Sequence, residues 1–422
     1  MYWSNFLHIY QPPTQTAEIV AKVTREAYRP LTRVLEQSPR AKLTLNISAC
    51  LTEQLARYGF ADVIESLGRL AERGQIEFTG SAMYHPILPL IPCDEAARQI
   101  ELNTRVNRRY FGDLYNPRGF FPPEMCYSFD VASLARSLGF AWILADEICY
   151  NGSLGQVVAD RVYEIEGLTG FCIFFKERPI STGLTFGSYP HAEQFLPAAQ
   201  IQVQPQGYLL TGTDGEIYGH HRPGQELLLQ EIYSSGVLKT CTVSELLERY
   251  PERERVRPVE GSWSSWEDEI AQRVPYAQWR YPGNGLHALQ WELTQLVTAI
   301  VDSAHPDGDG YAEARMMLDR GLHSCQYWWA SCRPWWDTEM IERGARELAG
   351  AALQLRSQTD GTRTRQVERL LALIRKMAYH WQSSGRAMRL KKQYMDEHRE
   401  VANELTFGNP PHETQTDQPD FA

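Results

Sequence analysis

Seven short apolar runs separated by amphipathic stretches constrain the fold of the first 255 residues more than any other feature of this chain. The runs are residues 3–10, 43–48, 75–80, 119–122, 140–145, 171–175 and 208–213, each of strand length. Between them, residues 62–73 place Val63, Leu67 and Leu70 on one helical face, and residues 94–110 open on an acidic cap candidate, Asp94. Strand and helix in alternation predict a parallel α/β domain. Seven strands are one short of a closed eight-stranded barrel.

A different texture begins near residue 285 and runs to about 405. Leu289, Leu293, Leu296 and Ile300 form one helical stripe, and Leu318, Leu322, Cys325 and Trp329 another, which predicts a helical bundle. Residues 250–258 are rich in charge and proline and read as the link. The expected organisation is a first domain over 1–255, a helical domain over 256–405, and a polar, proline-containing tail over 406–422 that is expected to be disordered. A chain of 422 residues is long enough for a large core and a smaller partner.

With 43% hydrophobic residues, a net charge of −10 and no basic stripe, the chain offers nothing to neutralise phosphates or an anionic membrane, so neither nucleic acid nor membrane is an expected partner. Its first residues lack the features of a secretory signal. The eight cysteines include no Cys-x-x-Cys pair and no regular framework, which fits reduced thiols, and a cytoplasmic location is expected. No metal or other cofactor is expected: His220 and His221 are adjacent rather than spaced as ligands, and His85 stands alone.

In βα barrels the active site is built from loops after the C-terminal ends of the strands. This chain places His8 and Gln11 after the first run, His85 after the third, Glu124 after the fourth, Asp146 and Glu147 after the fifth, and Asp214 after the seventh; Glu77 lies within the third. Acidic residues after strands also serve as helix caps, and a lone histidine is often a hydrogen-bonded packing residue. Glu124 and Asp214 stand apart because Pro122-Pro123 and the glycines at 212 and 215 dictate tight turns at the residues that must be aimed. Two carboxylates at strand ends point to sugar-bond chemistry. Glu216 competes with Asp214 for the acid role, since residues two apart in an extended segment point the same way.

Nine of the eleven tryptophans follow Glu260. Apolar sugar faces stack on such rings, although aromatics at helical spacing also pack interfaces between domains. Trp263, Trp328 and Trp329 are the candidates for a cleft.

These blocks resemble glycoside hydrolase family 57, whose members act on α-glucans. His8-Ile9-Tyr10-Gln11-Pro12 is similar to the family's opening His-Gln-Pro block with two residues inserted, and Gly74-Gln75-Ile76-Glu77 running to Tyr84-His85-Pro86 is similar to the second. Residues 119–127 resemble the third block and residues 213–220 the fourth; residues 323–329 resemble the fifth more loosely, and Gly261-Ser262-Trp263-Ser264 resembles a segment that precedes the bundle. The resemblance implies an incomplete (β/α)7 barrel followed by helices that complete the cleft. It puts the nucleophile at Glu124 and the general acid/base at Asp214.

Such a pair, about 5 to 5.5 Å apart, gives a retaining double displacement. His8, Gln11, Glu77, His85, Glu216 and His220, with the three tryptophans, would bind the sugar or orient the carboxylates. The expected substrate is an α-glucan or malto-oligosaccharide. No additional β-rich domain of the kind some family transferases carry is expected here, which favours an α-amylase-like hydrolase of α-1,4-glucans. A 4-α-glucanotransferase or branching activity shares the same first step, and a non-catalytic carbohydrate-binding member of the family is the third reading.

Overall fold

The computed structural model describes residues 1–202 and 206–398. The expected tail at 406–422, and residues 399–405 of the expected helical domain, lie outside the described residues.

All seven expected strands form. They are β1 (Tyr2–Ile9), β2 (Leu43–Ile47), β3 (Ile76–Phe78), β4 (Gly119–Phe120), β5 (Trp142–Asp146), β7 (Cys172–Lys176) and β8 (Tyr208–Asp214), with β6 (Val162–Ile165), β9 (Lys239–Thr240) and β10 (Arg253–Val256) in addition. The sequence reading missed these last three. β9 is two residues long, β10 is a charged segment that reads as a link, and β6 is an antiparallel addition to β7.

The order β8-β1-β2-β3 continues through a parallel bridge between Gly80 and Phe120 into β4-β5-β7, and every neighbouring pair along this path is parallel. The Glu177 amide just past β7 donates to the Leu210 carbonyl of β8 at 2.8 Å, bringing the two ends of the curved sheet together. The result is an incomplete (β/α)7 barrel. β2, β5 and β7 are buried along their whole length, as strands covered on both faces must be. Gly119 is required where β4 passes β5, because a Cβ there would lie 2.0 Å from the Trp142 indole.

The C-terminal part is helical: Gly285–Ser303, Tyr311–Gly321, Thr338–Gln354 and Gly361–Ser383 enclose a second core containing Leu293, Ile300, Leu318, Leu322, Leu348 and Leu370. The second expected stripe is interrupted. Leu318 falls in the helix that ends at Gly321, while Cys325 begins a separate single turn, Cys325–Trp328. That break lets the intervening chain reach the barrel. The helix Cys93–Phe111 docks on Tyr311–Gly321 through a buried ion pair, with Arg315 Nη1 2.7 Å from Glu95 Oε1, and a half-exposed one, with Arg98 Nη2 2.7 Å from Asp319 Oδ2. Among the described residues, no helix is long and apolar enough to cross a membrane.

Candidate active site

Glu124 sits directly after β4, and its backbone is left-handed, with φ 59° and ψ 20°. A non-glycine residue in that region stores strain and is held there by its surroundings. The holding is visible. The Trp263 amide donates to the Glu124 carbonyl at 3.3 Å, and the Trp263 indole N–H donates to Glu124 Oε2 at 2.7 Å. The side chain keeps 21% of its area exposed, so one face of the carboxyl group remains accessible.

Asp214 ends β8 directly opposite His8 of β1 in the parallel register, which puts it on the same C-terminal rim as Glu124. Burial pushes its carboxyl up to about 6, partly offset by the Lys176 ammonium. Burial and then the Asp214 charge push Glu124 up to about 8, partly offset by the Trp263 bond. Two like charges on one buried rim do not both ionise cheaply, which favours a singly protonated pair. Among the described residues, no arginine pairs with either carboxyl group.

Three aromatic rings floor the site. The His85 imidazole lies against both Tyr10 and His8, with centroids 4.3 and 4.8 Å away, and the Tyr10 and His8 rings are themselves 6.0 Å apart. His8 Nδ1 donates to Asn46 Oδ1 at 2.8 Å, and burial lowers the His8 ring to about 4. His85 Nδ1 is 3.8 Å from Glu124 Oε1, but burial holds this ring well below the usual histidine range, so it is neutral and makes no true ion pair. Neutral imidazoles suit hydroxyl groups, to which each can donate or accept a hydrogen bond.

The helical part contributes the far wall. The Ser324 amide donates to the His85 carbonyl at 3.0 Å, Ser324 Oγ lies 3.1 Å from His85 Nδ1, and Cys325 Sγ donates to the Tyr10 hydroxyl at 3.8 Å. Trp328 packs against the cluster that contains Cys126, two residues past Glu124, and stacks on Trp335 at 4.4 Å. Trp329 meets Trp328 edge-on and packs against the helical core.

Four of the expected sugar contacts have protein partners in the structure. Glu77 is the middle residue of the short strand β3 and accepts from Ser244 N at 3.1 Å and Thr44 Oγ1 at 3.2 Å, at the opposite end of the barrel. Glu216 does not share the direction of Asp214, because the strand ends at Asp214 and a 3₁₀ turn, Gly215–Ile217, follows. Its Oε1 is taken by the Tyr28 hydroxyl at 2.5 Å and the Tyr10 amide at 3.1 Å. Gln11 belongs to the same buried strut, donating to Tyr28 at 3.2 Å. His220 Nδ1 lies 2.6 Å from Glu26 Oε2 on the segment after β1.

Asp146 and Glu147 are structural. Asp146 is fully buried between Lys176 Nζ at 3.0 Å and Arg178 Nη2 at 2.5 Å, cations that hold its carboxyl below the usual range against the cost of burial. Glu147 accepts from the Arg178 and Gly155 amides, both at 2.8 Å. Arg178 then donates to the Ser265 and Ser262 carbonyls at 2.6 and 3.2 Å, fixing the loop that carries Trp263. The sequence reading missed Lys176 and Arg178, although both follow the sixth candidate strand. Among the described residues, no group of three or more His, Cys, Asp or Glu side chains is arranged to hold a metal ion.

A seven-stranded parallel barrel with two coupled carboxyl groups above its strands has the layout of a carboxylate-pair glycosyl hydrolase. Residues 4–258 match the model of glycosyl hydrolase family 57, and the chain belongs to that family. An α-amylase of Pyrococcus horikoshii is 29% identical over 141 residues, which are 33% of this chain and 22% of that protein. A 4-α-glucanotransferase of Thermococcus litoralis is 25% identical over 141 residues, 33% of this chain and 21% of that protein. The match thus spans about a fifth of these relatives' length. Among solved structures, a GH57-type branching enzyme of Pyrococcus horikoshii superposes with a TM-score of 0.68 at 17% identity, covering 88% of this chain and 94% of the other. An α-amylase of Thermotoga maritima gives 0.62 at 14% identity, covering 89% and 99%. These two likenesses concern the fold.

Proposed function

We propose that the chain is a retaining glycoside hydrolase acting on α-1,4-glucans, α-amylase-like, with Glu124 as nucleophile and Asp214 as general acid/base. The observation that carries this reading is the coupling of two carboxyl groups on one rim, one of them gripped by Trp263 in a strained backbone conformation. The activities of the relatives, α-amylase and 4-α-glucanotransferase, support it.

In the first step Asp214 gives its proton to the glycosidic oxygen as that C–O bond breaks, and a Glu124 oxygen bonds to the anomeric carbon. In the second, the Asp214 carboxylate takes a proton from water, whose oxygen displaces Glu124. Burial raises both carboxyl groups in the free protein. Attack needs the proton on Asp214 and the charge on Glu124. A bound sugar favours that arrangement: the anomeric carbon gathers positive charge in front of Glu124, and the leaving oxygen shields Asp214 from water and accepts its proton. His8 and His85, both neutral, and Trp263 would contact sugar hydroxyls and ring faces.

Glycosyl transfer is the second reading, as a 4-α-glucanotransferase or branching enzyme. The Trp328–Trp335 stack favours it, with Trp335 40% exposed beside the site and able to seat an acceptor sugar. Against a non-catalytic, carbohydrate-binding role stands the absence, among the described residues, of any arginine locking Glu124 or Asp214. We further propose that the barrel over 1–255 and the helical part over 256–405 act as two domains sharing the cleft. A cytoplasmic location fits the eight free cysteines.

The test is product analysis on maltoheptaose and soluble starch, with Glu124→Gln and Asp214→Asn beside the wild type. Shorter oligosaccharides lost in both variants support hydrolysis, and longer ones appearing beside shorter ones support transfer. Wild-type protein that leaves both glucans intact refutes the α-1,4-glucan assignment.

A further inference from the structure

β7 ends on Lys176, whose side chain is almost wholly buried beneath the rim. Its Nζ lies 3.0 Å from Asp146 Oδ2 on the neighbouring β5 and 5.5 Å from the centroid of the Trp263 ring. The stem crosses the face of β8 at Gly212, where a Cβ would lie 3.0 Å from Lys176 Cδ and 3.2 Å from Cγ. Gly212 and Asp214 are two apart on one strand and share a face. The missing side chain at 212 is therefore what admits a lysine to the Asp214 side of the seam between β7 and β8.

Charge balance gives this placement a purpose. Lys176 and Arg178 bring two buried cations, and Asp146 answers one of them. The second lies beneath the Glu124–Asp214 pair, which carries one negative charge in the ionisation state that double displacement requires. The other groups near these side chains are otherwise engaged. Glu147 is held by two amides, Glu177 caps the helix Arg178–Phe186 through the Ile180 amide, Glu216 is held by Tyr28 and Tyr10, and His8 is neutral.

We propose that Lys176 is a positioning residue for the reaction, its buried ammonium holding the carboxyl pair at a single shared proton and stabilising Asp214 as the carboxylate that remains after proton donation. This rests on the proposed double displacement. When Asp214 protonates the leaving oxygen, Glu124 becomes a neutral ester, and the one negative charge of the pair moves to Asp214 beside Lys176. When water attacks, Asp214 takes back a proton and Glu124 regains the charge, so the pair carries one negative charge throughout.

The experiment is a carboxyl ¹³C NMR titration of Asp214, assigned by its loss in Asp214→Asn, in wild-type protein and in Lys176→Met, which keeps the stem and removes the charge. An opposite charge within about 4–6 Å moves a carboxyl by roughly 1 pH unit or more, so the Asp214 midpoint should rise by about 1 unit in Lys176→Met and return toward wild type in Lys176→Arg. The pH profile of kcat/KM should shift upward with it, and kcat should fall as acid catalysis of the first step weakens. An unchanged Asp214 midpoint in folded Lys176→Met overturns the proposal.

A second readout needs no lysine variant. The ¹³Cε signal of Lys176 in the wild type should step at the Asp214 midpoint and lose that step in Asp214→Asn, and a flat signal contradicts the proposal. Neither titration depends on turnover, so wild-type inactivity on α-1,4-glucans would refute the substrate assignment while these measurements still decide the role of Lys176.

Discussion

Trp263 holds Glu124 twice, through its amide to the Glu124 carbonyl at 3.3 Å and through its indole N–H to Oε2 at 2.7 Å. One residue thereby fixes both the strained backbone and the carboxylate of the proposed nucleophile. Trp263→Phe keeps the amide and most of the ring but removes the N–H. A hydrogen bond to a charged group contributes about 1.5–3 kcal/mol, so kcat/KM should fall roughly 10- to 100-fold. Because that bond lowers the Glu124 pKa, its loss should also shift the pH profile upward. A pH–rate series on maltoheptaose checks both.

The Trp263 loop is held in turn by Arg178, whose side chain spans Asp146 and the Ser262 and Ser265 carbonyls. Arg178→Met strands a buried Asp146 carboxylate with Lys176 as its remaining cation. Breaking a buried pair from one side costs about 3–5 kcal/mol, so a marked drop in Tm is expected, together with loss of activity. Calorimetry of the variant measures the first and the glucan assay the second.

Glu77 gives the opposite expectation. It bonds the start of the helix Val243–Arg249 at the far end of the barrel, so Glu77→Gln should leave kcat and KM within about twofold of wild type and show its effect in thermal stability alone. Steady-state kinetics beside a melting curve separate the two.

The nucleophile carries a stability cost whose pH dependence has a definite sign. A folded-state carboxyl raised from 4.5 to about 8 binds more protons than the unfolded chain between those values, so stability is lost as pH rises through that window. Glu124→Gln removes the titration. The gain in Tm of this variant over wild type should therefore be larger at pH 8 than at pH 5, as read by melting at both.

The seven barrel strands were legible because strands buried on both faces are continuous apolar runs, as in Leu43–Ile47 and Cys172–Lys176. Arg253–Val256 was not, since a charged edge strand shares the pattern of a linker. Glu124, His8, His85 and Trp263 converge as their positions after strands and in the family blocks implied. The partners of Glu77 at the other rim were not legible from its position within the short strand β3. Those of Glu216 were not because the two-residue periodicity stops where β8 gives way to a turn. Lys176 and Arg178 escaped notice because the search of strand ends weighed acids and histidines as chemistry, while the cations that balance them make no motif of their own.

The account rests on Glu124 forming a covalent bond to sugar, and peptide mass spectrometry reads that bond directly. Asp214→Asn should be incubated with α-maltosyl fluoride, whose good leaving group needs little acid help while removal of the base slows release. The account predicts a maltosyl ester on the peptide containing Glu124, absent when Glu124→Gln is added. Fluoride release with no labelled peptide, or a label on another carboxylate, would contradict it.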